Sequence, residues 1–229
     1  MNKTTVLMKA SFLQLRLYLW IVLGILAVSV ITNLIISFAL RSGENSSVSA
    51  ANLTTLFLIF VLGSVLPVSF FKRVIILGAT RKEYYLNILL VYTLWAALFA
   101  VLNIVWFKFE LNLIRNYEHT FNILEIFNWD QFGIAGMFIY QFGAYLFLLA
   151  LLNLLFSGLH HPVGWVIWAA FIAAIPVFTS IAQLRHKLAD GLLMLLFNDS
   201  LLQGFGLTFI IACLLLLGGW WFTARRALI

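Results

Sequence analysis

Charge is the scarcest commodity in this chain. Of 229 residues, eight are Asp or Glu and fourteen are Lys or Arg, so that 10% are charged. Soluble globular chains carry about 25%. With 64% of its residues hydrophobic, a water-soluble fold could not cover its surface with polar groups. Cysteine occurs once, at Cys213. A disulfide within the chain is therefore excluded, and cysteine usage says nothing of redox compartment. Cys213 itself reads as a small buried apolar residue. No Gly-Lys pair occurs, so the chain has no P-loop of its own. There is no His-Glu-x-x-His, and no Ser/His/Asp spacing suggests a nucleophile with its base.

What remains is apolar sequence in long runs. A helix needs about 20 apolar residues to cross a hydrocarbon core. Six segments meet or approach that length: 17–40, 53–71, 86–107, 133–157, 163–182 and 201–222. None contains Asp, Glu, Lys or Arg. Continuous Leu/Ile/Phe/Val runs lack the alternation of a membrane barrel. The expected fold is all-α: an integral membrane protein with six transmembrane helices, in one transmembrane domain spanning residues 1–229. The apolar run from Leu17 to Leu40 is too long for the core of a signal peptide, and reads as a retained first span.

The basic residues give an orientation. With the N-terminus inside, the inner segments 1–16, 72–85, 158–162 and 223–229 hold nine of the fourteen Lys/Arg, and the outer loops hold five. Positive residues favour the cytoplasmic side, so both termini are expected there. The basic residues are split among separate membrane-flanking segments. The positive balance is a topology signal and does not point to nucleic acid.

Along the chain, residues 1–16 read as a helix on the inner surface, with Thr5, Lys9 and Arg16 on a polar strip. In the outer loop 108–132, Leu113, Tyr117, Phe121 and Leu124 fall on one helical face, bracketed by Trp106 and Trp129 at headgroup level. His160-His161 invites a metal reading, but no further ligand lies nearby in sequence. The pair reads as interfacial histidines before a proline-led helix. The apolar run within 183–200 is too short to cross and reads as a re-entrant outer element, with Asn198-Asp199-Ser200 offering a cap for the last span. Pro67 and Pro176 are expected to bend spans two and five.

The spans lack the ionisable groups that mark proton and ion paths, which argues against a buried-carboxylate carrier. Their polar residues, among them Asn33, Asn87, Asn103, Gln141 and Asn153, suit hydrogen bonding between helices. The distinctive polar stretch is 72–85, between spans two and three. Lys72 and Arg73 sit at the headgroups, Gly78 permits a sharp turn, and Thr80 can cap a helix starting at Arg81-Lys82-Glu83. This reads either as a short docking surface or as an ordinary positive-inside turn.

Leu77-Gly78-Ala79-Thr80-Arg81-Lys82-Glu83-Tyr84-Tyr85, in that position, resembles the coupling loop of ABC-2 type transporter permeases. It is most similar to the small six-span bacterial permeases whose ATPase is encoded separately. The N-terminal surface helix and the segment 183–200 resemble that family's connecting helix and re-entrant hairpin; the 108–132 loop has no match in its pattern. The resemblance implies an exporter subunit in a bacterial cell membrane, without enzymatic activity of its own. It implies an ABC ATPase partner that carries ATP and Mg and docks on Ile76, Leu77, Gly78, Thr80, Arg81, Lys82, Glu83 and Tyr84. It also implies a second permease subunit, identical or homologous, within the lipid bilayer. This chain would hold no cofactor. The other reading is a non-transporting membrane partner, such as an immunity or regulatory scaffold protein.

Overall fold

The structure, a computed structural model, describes residues 3–40, 47–112, 120–198 and 200–226. These form α1 (Lys3–Leu40), β1 (Ser47–Val48), α2 (Ala50–Val65), a π-helical turn (Leu66–Phe70), α3 (Phe71–Ile76), α4 (Arg81–Asn112), β2 (Thr120–Phe121), α5 (Ile123–Ile126), a 3-10 turn (Trp129–Phe132), α6 (Gly133–Gly158), α7 (Pro162–Ser180), α8 (Ala182–Leu196) and α9 (Leu201–Arg225). Apart from a two-residue parallel ladder between β1 and β2, the described chain is helical. Five stretches are long and apolar enough to cross a membrane: Asn52–Ile76, Arg81–Asn112, Trp129–Gly158, Pro162–Ser180 and Leu201–Arg225.

α6 is the central helix and packs on α2, α4 and α9. Lipid tails are as apolar as leucine, so helices in a membrane associate through close fit. Small residues supply that fit here. A Cβ on Gly204 would lie 1.5 Å from the Tyr140 hydroxyl, and one on Gly219 would lie 2.2 Å from Asn153 Nδ2. On the α6 side, Gly143 faces Phe205 and Thr208 of α9. The α6–α9 crossing therefore depends on glycines on α9 receiving the polar tips of α6. Gly133 has a different role: it stands at φ 68°, with open space around it, where the 3-10 turn becomes α6.

Several expectations need correction. α1 is one unbroken helix of 38 residues, about 57 Å long at 1.5 Å per residue. It shows no boundary near residue 17, and Ser11 and Leu15 are buried, so its start packs on the bundle. α4 continues past the first charges to Asn112. It can do so because the buried Glu110 carboxylate accepts from Trp106 Nε1 (2.7 Å) and Asn122 Nδ2 (3.0 Å). The outer-loop helix is not formed as expected: Phe121 is in β2 and Leu124 in α5, while Leu113 and Tyr117 lie outside the described residues. Trp129 is buried, and donates to the Leu196 carbonyl (2.8 Å). The segment 183–200 is mainly a single helix, α8, with no buried residue. Ser200 occupies the N-cap of α9 without a side-chain bond; Asn198 Oδ1 accepts from the Ser200 amide instead (2.9 Å), and Asp199 lies outside the described residues. Cys213 is exposed, on a helix face left open.

Candidate functional site

One end of the bundle is assembled around the π-helical turn Leu66–Phe70. Pro67 has no N–H to give, and the widened turn leaves its carbonyls to side-chain donors. Ser69 Oγ donates to the Val65 carbonyl (2.9 Å), and the Tyr84 hydroxyl donates to that of Leu66 (2.8 Å). Arg226 Nη1 donates to Pro67 O (2.5 Å) and its Nη2 to Val68 O (3.3 Å). Four successive carbonyls thus find side-chain partners, in a setting where an unpaired carbonyl costs several kcal/mol. The guanidinium also stands over the Phe71 ring, 4.4 Å from its centroid.

Downstream, α3 ends at Ile76 and the chain turns through Gly78, whose φ of 84° is open to glycine and costly for other residues. The turn is closed by the Gly78 amide on Ile75 O (3.0 Å) and the Ala79 amide on Val74 O (3.2 Å), the crossed bonding of a glycine C-cap. A reciprocal capping box then starts α4: the Glu83 amide donates to Thr80 Oγ1 (3.2 Å), and the Thr80 amide donates to Glu83 Oε2 (2.8 Å). Arg81 donates to the Ala224 carbonyl at the end of α9, a cation meeting the negative end of a helix dipole.

The eight residues singled out from sequence are thus sorted by exposure. Ile76 and Leu77 are 74% and 75% exposed, the one at the last position of the membrane-length stretch Asn52–Ile76 and the other just past it. Gly78, Thr80 and Lys82 are exposed, and Arg81 and Glu83 are half-buried. Tyr84 is buried, its ring edge-on to Phe71 at 4.9 Å. Arg81, Glu83 and Tyr84 therefore hold the loop, and the exposed tip is apolar.

Beside this loop lies a cavity of about 910 Å³ between α3 and the α6–α7 turn. Phe71, Ile75 and Trp165 form apolar walls; Lys72, His160 and Arg226 bring cations and N–H donors. Arg226 Nη2 lies 2.9 Å from His160 Nε2. A guanidinium only donates, so Nε2 accepts, and the imidazole is neutral with its proton on Nδ1. Partial burial and the Arg226 charge both push the His160 pKa down, in agreement with that tautomer. His161 Nδ1 accepts from the Val163 amide (3.2 Å) as N-cap of α7, and its ring lies against Trp221 at 5.1 Å. Both histidines are committed to protein contacts, and among the described residues no three metal-ligating side chains cluster.

The polar groups at depth divide. Asn153 Nδ2 donates to the Tyr85 hydroxyl (3.3 Å), which itself donates to the Leu216 carbonyl. Gln141 Nε2 donates to the Tyr145 hydroxyl (2.7 Å). Asn103 pairs with Asn122 (3.2 Å). Asn87 is buried with neither amide atom bonded. Asn33 lies where side chains are not described. Sequence reasoning missed Arg226 as the centre of this end of the bundle. No local signal marks it, because the carbonyl that Pro67 leaves without a partner lies on the preceding turn, whereas Arg226 serves Pro67 O and Val68 O.

No family model, curated protein or solved structure matches the chain.

Proposed function

We propose that this chain is the membrane subunit of an ATP-driven transporter of the ABC-2 type, moved by a separate ATPase that docks on its inner loop. The observation that carries the reading is the Ile76-Leu77-Gly78 tip. Two apolar side chains stand in the open on a turn fixed at both ends by a glycine C-cap and a capping box. An apolar tip on a braced base is what a groove on a partner protein would grip. Force applied there reaches α2 through α3 and the π turn, α4 through its N-terminus, and α9 through Arg81. In this reading α1 supplies a sixth span beside the five membrane-length stretches, both termini are cytoplasmic, and the complete transporter needs a second six-span subunit. Substrate passes between the two subunits, and export is the expected direction.

The test is purification of the tagged chain from its native membrane at native expression, with the associated proteins identified. A P-loop ATPase in stoichiometric amount is expected. Ile76→Asp with Leu77→Asp should reduce its recovery at least about tenfold, since two buried apolar anchors contribute roughly 1.5–3 kcal/mol each, while the variant elutes as wild type. Recovery of the chain with no ATPase, in detergent and after cross-linking in the membrane, would leave the scaffold reading in its place.

A further inference from the structure

The far end of α4, away from the Gly78 turn, buries a carboxylate. Glu110 is 1% exposed, and it accepts from two neutral donors, Trp106 Nε1 and Asn122 Nδ2. Among the described residues no cation pairs with it. Two neutral hydrogen bonds offset part of an ion's desolvation, but a buried charge is normally matched by an opposite one. Beside it Asn103 and Asn122, both buried, pair with each other (3.2 Å). The ladder between β1 and β2 brings the start of α2 to the same place. Val48 pairs with Phe121, and the Ser49 amide donates to the carbonyl of Phe121 (3.0 Å), the residue before Asn122. Ser49 is the N-cap of α2, yet its hydroxyl makes no capping bond, which is the usual reason for a serine there. Its Oγ is buried without a protein partner. Asn52, three residues on and so on the same face, is 2% exposed with neither amide atom bonded. A buried carboxylate, an open amide and an open hydroxyl thus converge on one end of the bundle.

We propose that this cluster binds one singly charged metal cation of sodium's class, held by the Glu110 carboxylate, Asn52 Oδ1 and Ser49 Oγ. Hard cations take oxygen ligands, and each of these groups presents an oxygen. Trp106 and Asn122 occupy one lone pair on each carboxylate oxygen and leave another on each. A single carboxylate balances a single positive charge, whereas a divalent ion would leave one charge unmatched. Water would satisfy Asn52 and Ser49 but not the charge on Glu110. The bound cation ties the start of α2 to the far end of α4, and so joins two membrane-length stretches. This site stands apart from the Gly78 loop and does not depend on an ATPase docking there.

The experiment uses the full chain in dodecyl maltoside at about pH 8, where a carboxyl of ordinary pKa is ionised. Equilibrium binding of radioactive sodium is measured, with N-methylglucamine as the replacing cation. Saturable binding of one ion per chain at millimolar sodium is expected. Glu110→Gln keeps the shape, removes the charge and should abolish binding. Asn52→Ala removes a side chain that bonds no other protein group, so the variant should elute as wild type. It should weaken binding at least about tenfold, the loss that even groups supporting a metal's own ligands produce. Asp190→Asn on α8 should leave binding unchanged, which excludes a general charge effect. Absence of saturable binding, binding kept in Glu110→Gln, or binding unchanged in Asn52→Ala would overturn the proposal; a proton on Glu110 would then be what removes its charge. Displacement of sodium by calcium at far lower concentration would overturn it as well, because the occupant would be divalent.

Discussion

Arg226→Gln is the substitution that most directly tests how the end of the bundle around the π-helical turn is held. It strips donors from the carbonyls of Pro67 and Val68 and lifts a cation from the Phe71 ring. A buried carbonyl without a partner costs about 1–3 kcal/mol, and a cation over a partly desolvated ring contributes about 0.5–2 kcal/mol. The two carbonyls are not equivalent. Pro67 is buried, whereas Val68 is exposed at the cavity edge, where water replaces the lost donor. The full penalty therefore applies once, and the expected loss is about 1.5–5 kcal/mol. Reversible unfolding in dodecyl maltoside titrated with sodium dodecyl sulfate, followed by tryptophan fluorescence, measures it. Arg226→Lys keeps the charge and one donor and should lose about half as much. Tyr84→Phe removes the neighbouring donor to Leu66 and should cost about 1–2 kcal/mol. Both side chains touch Phe71, so the double variant should be less than additive. If Arg226→Gln unfolds within about 0.5 kcal/mol of wild type, the turn satisfies its own carbonyls and the argument fails.

The other predictions concern separate joints. Gly219→Ala places a methyl against Asn153 Nδ2 and should destabilise the α6–α9 crossing by about 1–3 kcal/mol, read from the same titration. Thr80→Ala opens the capping box at the start of α4 and should cost about 1 kcal/mol, with faster amide exchange confined to the first turn of α4; exchange unchanged there would show that the box does not hold the turn. The pKa of His160 is held below its ordinary 6.5 by burial and by Arg226. The unfolded chain then binds the proton more readily, so stability should fall as pH drops below about 6.5 until the folded-state pKa is passed. His160→Gln should flatten that part of the pH profile, and a profile identical to wild type would show that other groups cause it.

The sequence carried the membrane class, the helical fold, the Gly78 turn and the Thr80 cap, because each is a local property of composition or a short motif. Boundaries were harder where side chains from elsewhere intervene. The third span was ended at residue 107, with Glu110 in the outer loop, because charges in an apolar run are costly; Asn122, twelve residues away from Glu110, accommodates its carboxylate within the extended α4. Residues 1–16 read as a surface helix from a narrow polar strip, yet Ser11 and Leu15 turn inward. The docking role expected of Glu83 and Arg81 came from the resemblance of their loop to the ABC-2 coupling loop, and their partners at Thr80 and Ala224 are visible only once the chain has folded. The pairing of Arg226 with Pro67 spans most of the chain and leaves no local trace.

The Tyr85 hydroxyl meets Asn153 of α6 and the Leu216 carbonyl of α9 while belonging to α4. Three helices are thereby tied at nearly one point, near the start of α4 and the end of α9. α4 has a short arm from Tyr85 to the loop and a long arm to Asn112. If the proposed ATPase pushes on the loop, the knot would be the fulcrum, and a small tilt at the loop would sweep a larger arc at the far end of α4.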